Sequence, residues 1–429
     1  MQLKHIFSHI NIPNLLQKIK KYFKDDHFLN ITETVQKFQA CSLDKSFVVY
    51  ECPVCKSTHK FKVTCKSRFC PSCGKKYSAL WAEKTSAVLI DVKHRAVLFT
   101  IPEELREFFF YDRNLLTKLT YAVNDIFKYQ FHNINAKNQR VNKIGKYSKD
   151  YFTDSDILHY GLITVIHTFG RDLKWNPHIH AIVTLGGFNK DYNYLNKEYF
   201  HFNSIAGQWK KLVIDIVKNG NYEDKKLKKK AYKVANQLYH KNKRFFFDVA
   251  KNNLKNNIYA IKYIGRYLSR APIAEYKITD FSDNKVTFYY EDLANNKERA
   301  ELTLDVETFL SKLIIHIPPK HFKMIRRFGI YSRNVKSEIK DIMKTMRKYV
   351  SKYSKVTFYQ LEIWKTFGIN PFYCFNCNIK MRVRRISYFN IFTGSICWKE
   401  YRWKHWYKNQ FFCAIQIYFI LVFSKIIKK

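Results

Sequence analysis

Apolar and polar positions alternate with a period of two along Trp175–Gly187. After Pro177 this predicts a strand with His178, His180, Ile182 and Thr184 on one face and Ile179, Ala181, Val183 and Leu185 on the other. Gly186-Gly187 is its expected end. Two more strands are expected, one from Arg95 to Ile101 closed by Pro102, the other from about Tyr160 to Phe169. A helical period replaces the alternation elsewhere. It appears over residues 78–92, over Leu105–Tyr129 (Leu115, Leu116, Leu119, Val123, Phe127) and over Gln208–Lys218, where Trp209, Leu212, Val213, Ile216 and Val217 form one stripe. Asn219-Gly220 stops that last helix. Ile258 to Pro272 reads as a helix with a buried stripe of Ile261, Ile264 and Leu268. Residues 285–304, with Asn295-Asn296 between apolar runs, read as a hairpin, and residues 133–157 as a polar loop. Strands interspersed with helices in this order define an α+β class.

Composition sharpens the picture. The chain has 429 residues and is 46% hydrophobic, enough for a sizeable core and more than one domain. It carries 76 Lys and Arg against 35 acids, a formal charge of +41. A coding bias towards Lys, Asn, Ile, Phe and Tyr explains the lysine-rich flavour, but not a twofold excess over acids. A polyanionic partner, most simply DNA, is expected. The segment Lys225–Arg244 holds nine Lys and Arg and no acid, with Leu227, Ala231, Val234 and Leu238 as its inner face. No secretory leader is recognisable. The longest apolar run, Phe411–Phe423, falls short of the roughly 20 residues that a membrane span needs. No membrane partner is expected, and a cytoplasmic location is. Ten cysteines, mostly in C-x-x-C pairs, then point to metal ligation rather than disulfides.

Those cysteines are the first candidate chemistry. Cys52-Pro-Val-Cys55 and Cys70-Pro-Ser-Cys73 form two knuckles of a zinc-ribbon pattern, whose four thiolates would close a tetrahedral, structural Zn²⁺ site. Cys65 and His59 are spare candidates, and the basic residues between and beside the knuckles, Lys66 and Arg68 among them, are candidate DNA contacts. Cys374-Phe-Asn-Cys377 is a further C-x-x-C element. The second candidate is the His178/His180 pair. At i and i+2 of a strand the Cα atoms lie roughly 7 Å apart, and the imidazoles can converge on one ion. The third is Tyr263 and Tyr267, at i and i+4 on one helix flank, with Arg266 and Arg270 as a cationic ridge.

Taken in order, these motifs resemble the transposases of the insertion-sequence-ninety-one family, the rolling-circle, two-tyrosine branch of the HUH endonucleases. The matching blocks are Cys52–Cys73, Phe99-Thr-Ile-Pro, His167-Thr-Phe-Gly-Arg171 with Asn176-Pro-His-Ile-His180, Tyr263-Ile-Gly-Arg-Tyr-Leu-Ser-Arg270, and Phe309–Tyr331. The resemblance spans about residues 48–386. It implies a ferredoxin- or RRM-like antiparallel sheet with helices on one face, preceded by a small zinc ribbon. It also implies a catalytic Mg²⁺ or Mn²⁺ on His178 and His180, with His167 as the expected third ligand and Asp172 or Gln208 as alternatives. Tyr263 or Tyr267 would form a 5′-phosphotyrosine link in single-stranded DNA at the ends of an insertion sequence. No G-x-x-x-x-G-K-[S/T] motif is present, so a host helicase or other replication factors would open the strands. The expected division is a helical lead-in at 1–47, a zinc-binding domain at 48–77, the nuclease core at 93–275, a hairpin and helical DNA-associated region with the C-x-x-C at 276–386, and an atypical tail at 387–429. Competing readings are a replication initiator or relaxase, which share the histidines and tyrosine, and a catalytically dead zinc-containing DNA-binding remnant.

Overall fold

The computed structural model describes residues 3–63, 65, 67–74, 77, 81, 85, 88–131, 158–189, 191–197, 200–241, 245–250, 253–255, 259–260, 263, 271–292, 298–335, 337–345, 370, 372–390 and 393–401. Its elements in chain order are α1 (Leu3–Ser8), α2 (Ile12–Ile19), α3 (Asp25–Gln39), β1 (Phe47–Glu51), β2 (Thr58–Lys62), β3 (His94–Thr100), α4 (Glu103–Tyr111), α5 (Asn114–Phe131), β4 (His159–Phe169), β5 (Trp175–Phe188) and β6 (Tyr194–Asn196). They continue with α6 (Phe202–Lys218), α7 (Lys225–His240), β7 (Phe247–Val249), β8 (Ile278–Ser282), β9 (Lys285–Asp292), β10 (Glu298–Asp305), α8 (Val306–Ile314), β11 (Ile325–Gly329), α9 (Ser337–Thr345), β12 (Arg382–Asn390) and β13 (Ser395–Glu400). The chain divides into two compact units, one of Met1–Gln39 with Cys65–Lys355, the other of Ala40–Thr64 with Val356–Lys429.

The first unit is built on an antiparallel sheet in the order β11-β4-β5-β3-β7, with β6 also paired to β5. The period-two reading of β5 holds. Ile179, Ala181, Val183 and Leu185 enter the large core with α4 to α7, whereas Ile182 joins a second cluster on the opposite face. That second cluster contains Ala96, Ile163, Val165, Ala260, Ile339 and Met343, with Trp81 and Tyr263 packed against it. Helical residues therefore lie on both faces, not on one as expected. This is why β4 is buried almost without interruption rather than at alternate positions.

The helix expected over Leu105–Tyr129 is two, α4 and α5, broken at Asp112-Arg113. There Asp112 Oδ1 accepts from the Asn114 backbone N–H (3.0 Å) and replaces helix bonding. Helix α6 starts earlier than Gln208, its first turn capped by His201 Nδ1 accepting from Ser204 N (3.1 Å). Trp209 is wholly buried, and its indole N–H donates to Thr100 O at 2.9 Å, which fastens α6 to the end of β3. Strand β5 runs through Gly186-Gly187 to Phe188 instead of stopping there. Gly186 has φ +151°, and a Cβ on it would stand 2.4 Å from Leu195 O. The glycine lets β6 lie against the strand; it does not end it. The expected hairpin is β9–β10, extended by β8 into a three-stranded sheet.

The second unit is a four-stranded sheet in the order β13-β12-β1-β2. Its middle pair joins Phe47–Glu51 to Arg382–Ser387, segments from opposite ends of the chain. Val48, Tyr50, Cys52, Cys374 and Met381 form its core. This corrects the expected division. The strands around 48–62 are completed by residues beyond 370, and the boundary placed after residue 386 falls inside β12, whose hairpin partner β13 extends to Glu400. Residues 402–429 lie outside the described residues, as do residues 133–157. Among the described residues, no helix is long and apolar enough to cross a membrane.

Candidate metal centres

The histidine centre is assembled by register. In the β4–β5 pair, His167 stands directly opposite His178, and Val165 opposite His180. Directly opposed residues share a face, so all three imidazoles lie on the side of the sheet that carries Ile163, Val165 and Ile182. Their ring centroids are 4.8–5.3 Å apart pairwise, and one ligand nitrogen from each lies within 4.8 Å of the others. The start of β5 is held firmly. The Trp175 indole N–H donates to Arg106 O (2.9 Å), and its ring lies 4.0 Å from the Arg113 guanidinium and stacks with the His316 ring at 5.8 Å.

His178 is prepared as a ligand. Its Nδ1–H donates to the Asn176 carbonyl at 2.7 Å, which leaves Nε2 as the unprotonated nitrogen of the neutral ring. Burial pushes its pKa down to about 4, with nearby Arg106 acting in the same direction, so the ring is neutral at physiological pH. Three imidazoles converging in one cluster are a donor set for a divalent cation. His167 is thus the third residue that the strands bring to the pair. Asp172 pairs with Lys174 (3.1 Å), whereas Gln208 donates from Nε2 to Ser204 Oγ (2.9 Å) within α6 and its Oε1 is buried without a hydrogen-bond partner among the described residues.

Tyr263 is helical and half-buried, and it packs on the cluster that shares the histidines' face of the sheet. Tyr267, Arg266, Arg270 and Lys66 lie outside the described residues. Arg68 donates to the Tyr77 hydroxyl (3.1 Å) and sits over that ring. Helix α7 presents its lysines outward, with Ala231, Ala235 and Leu238 buried, as its pattern predicts.

The cysteines depart from the expected single ribbon. Cys52 and Cys55 cluster with Cys374 and Cys377, all four sulfurs within 4.8 Å of one another. Cys70 and Cys73 cluster instead with Cys65, which is therefore not a spare. His59 is on β2 with its ring 4.6 Å from that of Phe375, and it is not among the clustered ligands. Each knuckle is legible in the sequence but the pairing is not, because spacing along the chain carries no information about a partner near its other end. His94 also escapes the sequence pattern. It is a fully buried histidine whose Nδ1 donates to Val92 O (2.8 Å) and whose Nε2 accepts from the Tyr331 hydroxyl (2.7 Å). A histidine immediately before the strand predicted from Arg95 was its one available signal.

Two thiol clusters and a trio of strand histidines thus define a protein with several candidate metal-binding sites. Comparison with known proteins makes this specific. Residues 15–101 match the family described as "Transposase zinc-binding domain", and residues 161–338 the family described as "Putative transposase". The transposase of insertion sequence element IS801 from Pseudomonas savastanoi pv. phaseolicola is 27% identical over 361 residues, covering 81% of this chain and 82% of the relative. "Putative transposase y4qJ" from Sinorhizobium fredii is 21% identical over 286 residues, covering 64% and 67% respectively. No solved structure matches. Together these matches support an insertion-sequence-ninety-one-like transposase with an N-terminal zinc-binding domain.

Proposed function

We propose that this transposase cuts and joins single-stranded DNA at the ends of an insertion sequence through a covalent 5′-phosphotyrosine, in the manner of a rolling-circle HUH enzyme. The observation that carries this reading is the His167/His178/His180 cluster on adjacent antiparallel strands, with Tyr263 on the same face. The antiparallel order of the five strands agrees with an HUH core.

His167, His178 and His180 would hold Mg²⁺ or Mn²⁺. When bound, the cation supplies Lewis-acid polarisation and orientation of the scissile phosphate. The protein's residues do the rest. The Asn176 carbonyl fixes the His178 ring, and the flanking apolar cluster excludes water from that face. The phenolic oxygen of Tyr263 or Tyr267 attacks phosphorus. A tyrosyl P–O bond forms as the P–O3′ bond breaks, the phenol gives up its proton, and the 3′ oxygen leaves as a hydroxyl. A second tyrosine would allow a second transfer without ATP. The lysine face of α7 would track the DNA backbone.

The test is incubation with single-stranded oligonucleotides carrying the element's ends and Mn²⁺, read as a protein–DNA adduct on a denaturing gel. Adduct is expected, and it should fall by at least about 1,000-fold in His178→Ala and in the variant of whichever tyrosine acts first, Tyr263→Phe or Tyr267→Phe. Tight DNA binding with no adduct under any metal condition would overturn the proposal and leave a DNA-binding remnant.

A further inference from the structure

The two C-x-x-C elements of the second unit have one backbone conformation. In the first, the Cys52 N–H donates to Ser57 O (2.9 Å) and the Lys56 N–H donates back to Cys52 O (3.2 Å). In the second, the Cys374 N–H donates to Ile379 O (2.9 Å) and the Asn378 N–H to Cys374 O (2.9 Å). The offsets are the same: residue i to i+5, and i+4 to i. The residue after the second cysteine takes a left-handed conformation in both, Lys56 at φ 61° and Asn378 at φ 49°. Each loop thus turns its two thiols to the same side of a tight, internally bonded turn, and the two loops face each other.

The sulfur spacing suits a shared ion. Cys55 Sγ and Cys374 Sγ are 3.5 Å apart, and all four sulfurs lie within 4.8 Å. Ligands at about 2.3 Å around a tetrahedral zinc are separated by roughly 3.8 Å. Cys52 and Cys374 are buried among Val48, Tyr50 and Met381, whereas Cys55 is exposed, so the site has an inner wall and a solvent side through which an ion can enter.

We propose that Cys52, Cys55, Cys374 and Cys377 bind one zinc ion of their own. Cys65, Cys70 and Cys73 belong to a different site. The ion joins a loop that leaves β1 to a loop that precedes β12, the two strands paired in the middle of the sheet. It staples the second unit from segments 319 residues apart, the separation of Cys55 from Cys374. Metal ligation at this position is structural, because four thiolates leave no open coordination site.

The test is metal content of the full-length protein purified without added chelator. Cys374→Ser/Cys377→Ser should lose one zinc equivalent per chain relative to the parent. Cys70→Ser/Cys73→Ser should retain the equivalent that the first variant loses. A zinc content unchanged in Cys374→Ser/Cys377→Ser would overturn the proposal, since it would return Cys52 and Cys55 to the single ribbon with Cys70 and Cys73. Should the double variant not fold, Cys377→His keeps a zinc ligand in place. The cobalt-loaded form of that variant should show weaker thiolate-to-metal charge-transfer absorption than the parent, and an unchanged intensity would equally overturn the assignment. None of these readouts depends on DNA cleavage.

Discussion

At the scale of single residues, the histidine pair was legible and its third member was inferable. His178 and His180 follow from alternation alone, and the shared face that alternation assigned them is the one they occupy. His167 follows from placing a second strand beside the first. What could not be read was the register that sets His167 opposite His178 rather than one position away, which would have turned it to the other face. This yields a direct prediction. His167→Ala should reduce adduct formation and move its Mn²⁺ dependence at least about 10-fold higher, the loss expected when even an outer partner of a metal ligand is removed. An adduct with unaltered Mn²⁺ dependence would take His167 out of the ligand set. The tyrosines were equally legible as an i, i+4 pair, but Tyr263 alone lies within the described residues.

At the scale of elements, β4 and β5 fall where they were expected, although both faces of each are covered and burial does not alternate along most of either. Strand β4 is buried along nearly its whole length, so its side chains carry no alternation to read. The glycines of β5 were misread for a related reason. A glycine pair usually signals a stop, yet Gly186 is there because β6 crosses within 2.4 Å of where a Cβ would be. Gly186→Ala should therefore destabilise the first unit by about 1–3 kcal/mol, the cost of forcing an L-residue into this backbone region. Chemical denaturation would measure it. A change below about 0.5 kcal/mol, the range of an inconsequential surface substitution, would mean that the strand end yields readily. Residues 387–400 carried no motif and were set aside as a tail, although Thr393-Gly394 is a turn signal between two runs that pair as β12 and β13.

At the scale of the whole molecule, the first unit buries several histidines in their neutral form. Burial pushes His94 and His27 down to about 4, and His316 to about 3. In an unfolded chain each titrates near ~6.5. Between those values the unfolded chain binds protons that the folded one refuses, so stability is kept above about pH 6.5 and falls as the pH drops towards 4. Hydrogen exchange on β4 and β5 should accelerate by at least about 10-fold between pH 7 and pH 5 after correction for intrinsic rates, and Tyr331→Phe, which removes the hydroxyl donor to His94, should reduce that pH response. Exchange independent of pH would contradict neutral burial. The division into units was the least legible property of all, because it depends on which distant segments share a sheet.

Sharing a sheet across the length of the chain governs how the protein is made. Strands β1 and β2 leave the ribosome long before β12, the sheet partner of β1, is synthesised. For most of that time β1 exposes an open edge, and a ribosome that stops short of Arg382 never closes it. The second unit is thereby completed only once β12 has been synthesised. A chain stopped short of Arg382 should therefore keep an open β1 edge and be degraded faster than one that contains β12, a difference that pulse-chase labelling would measure.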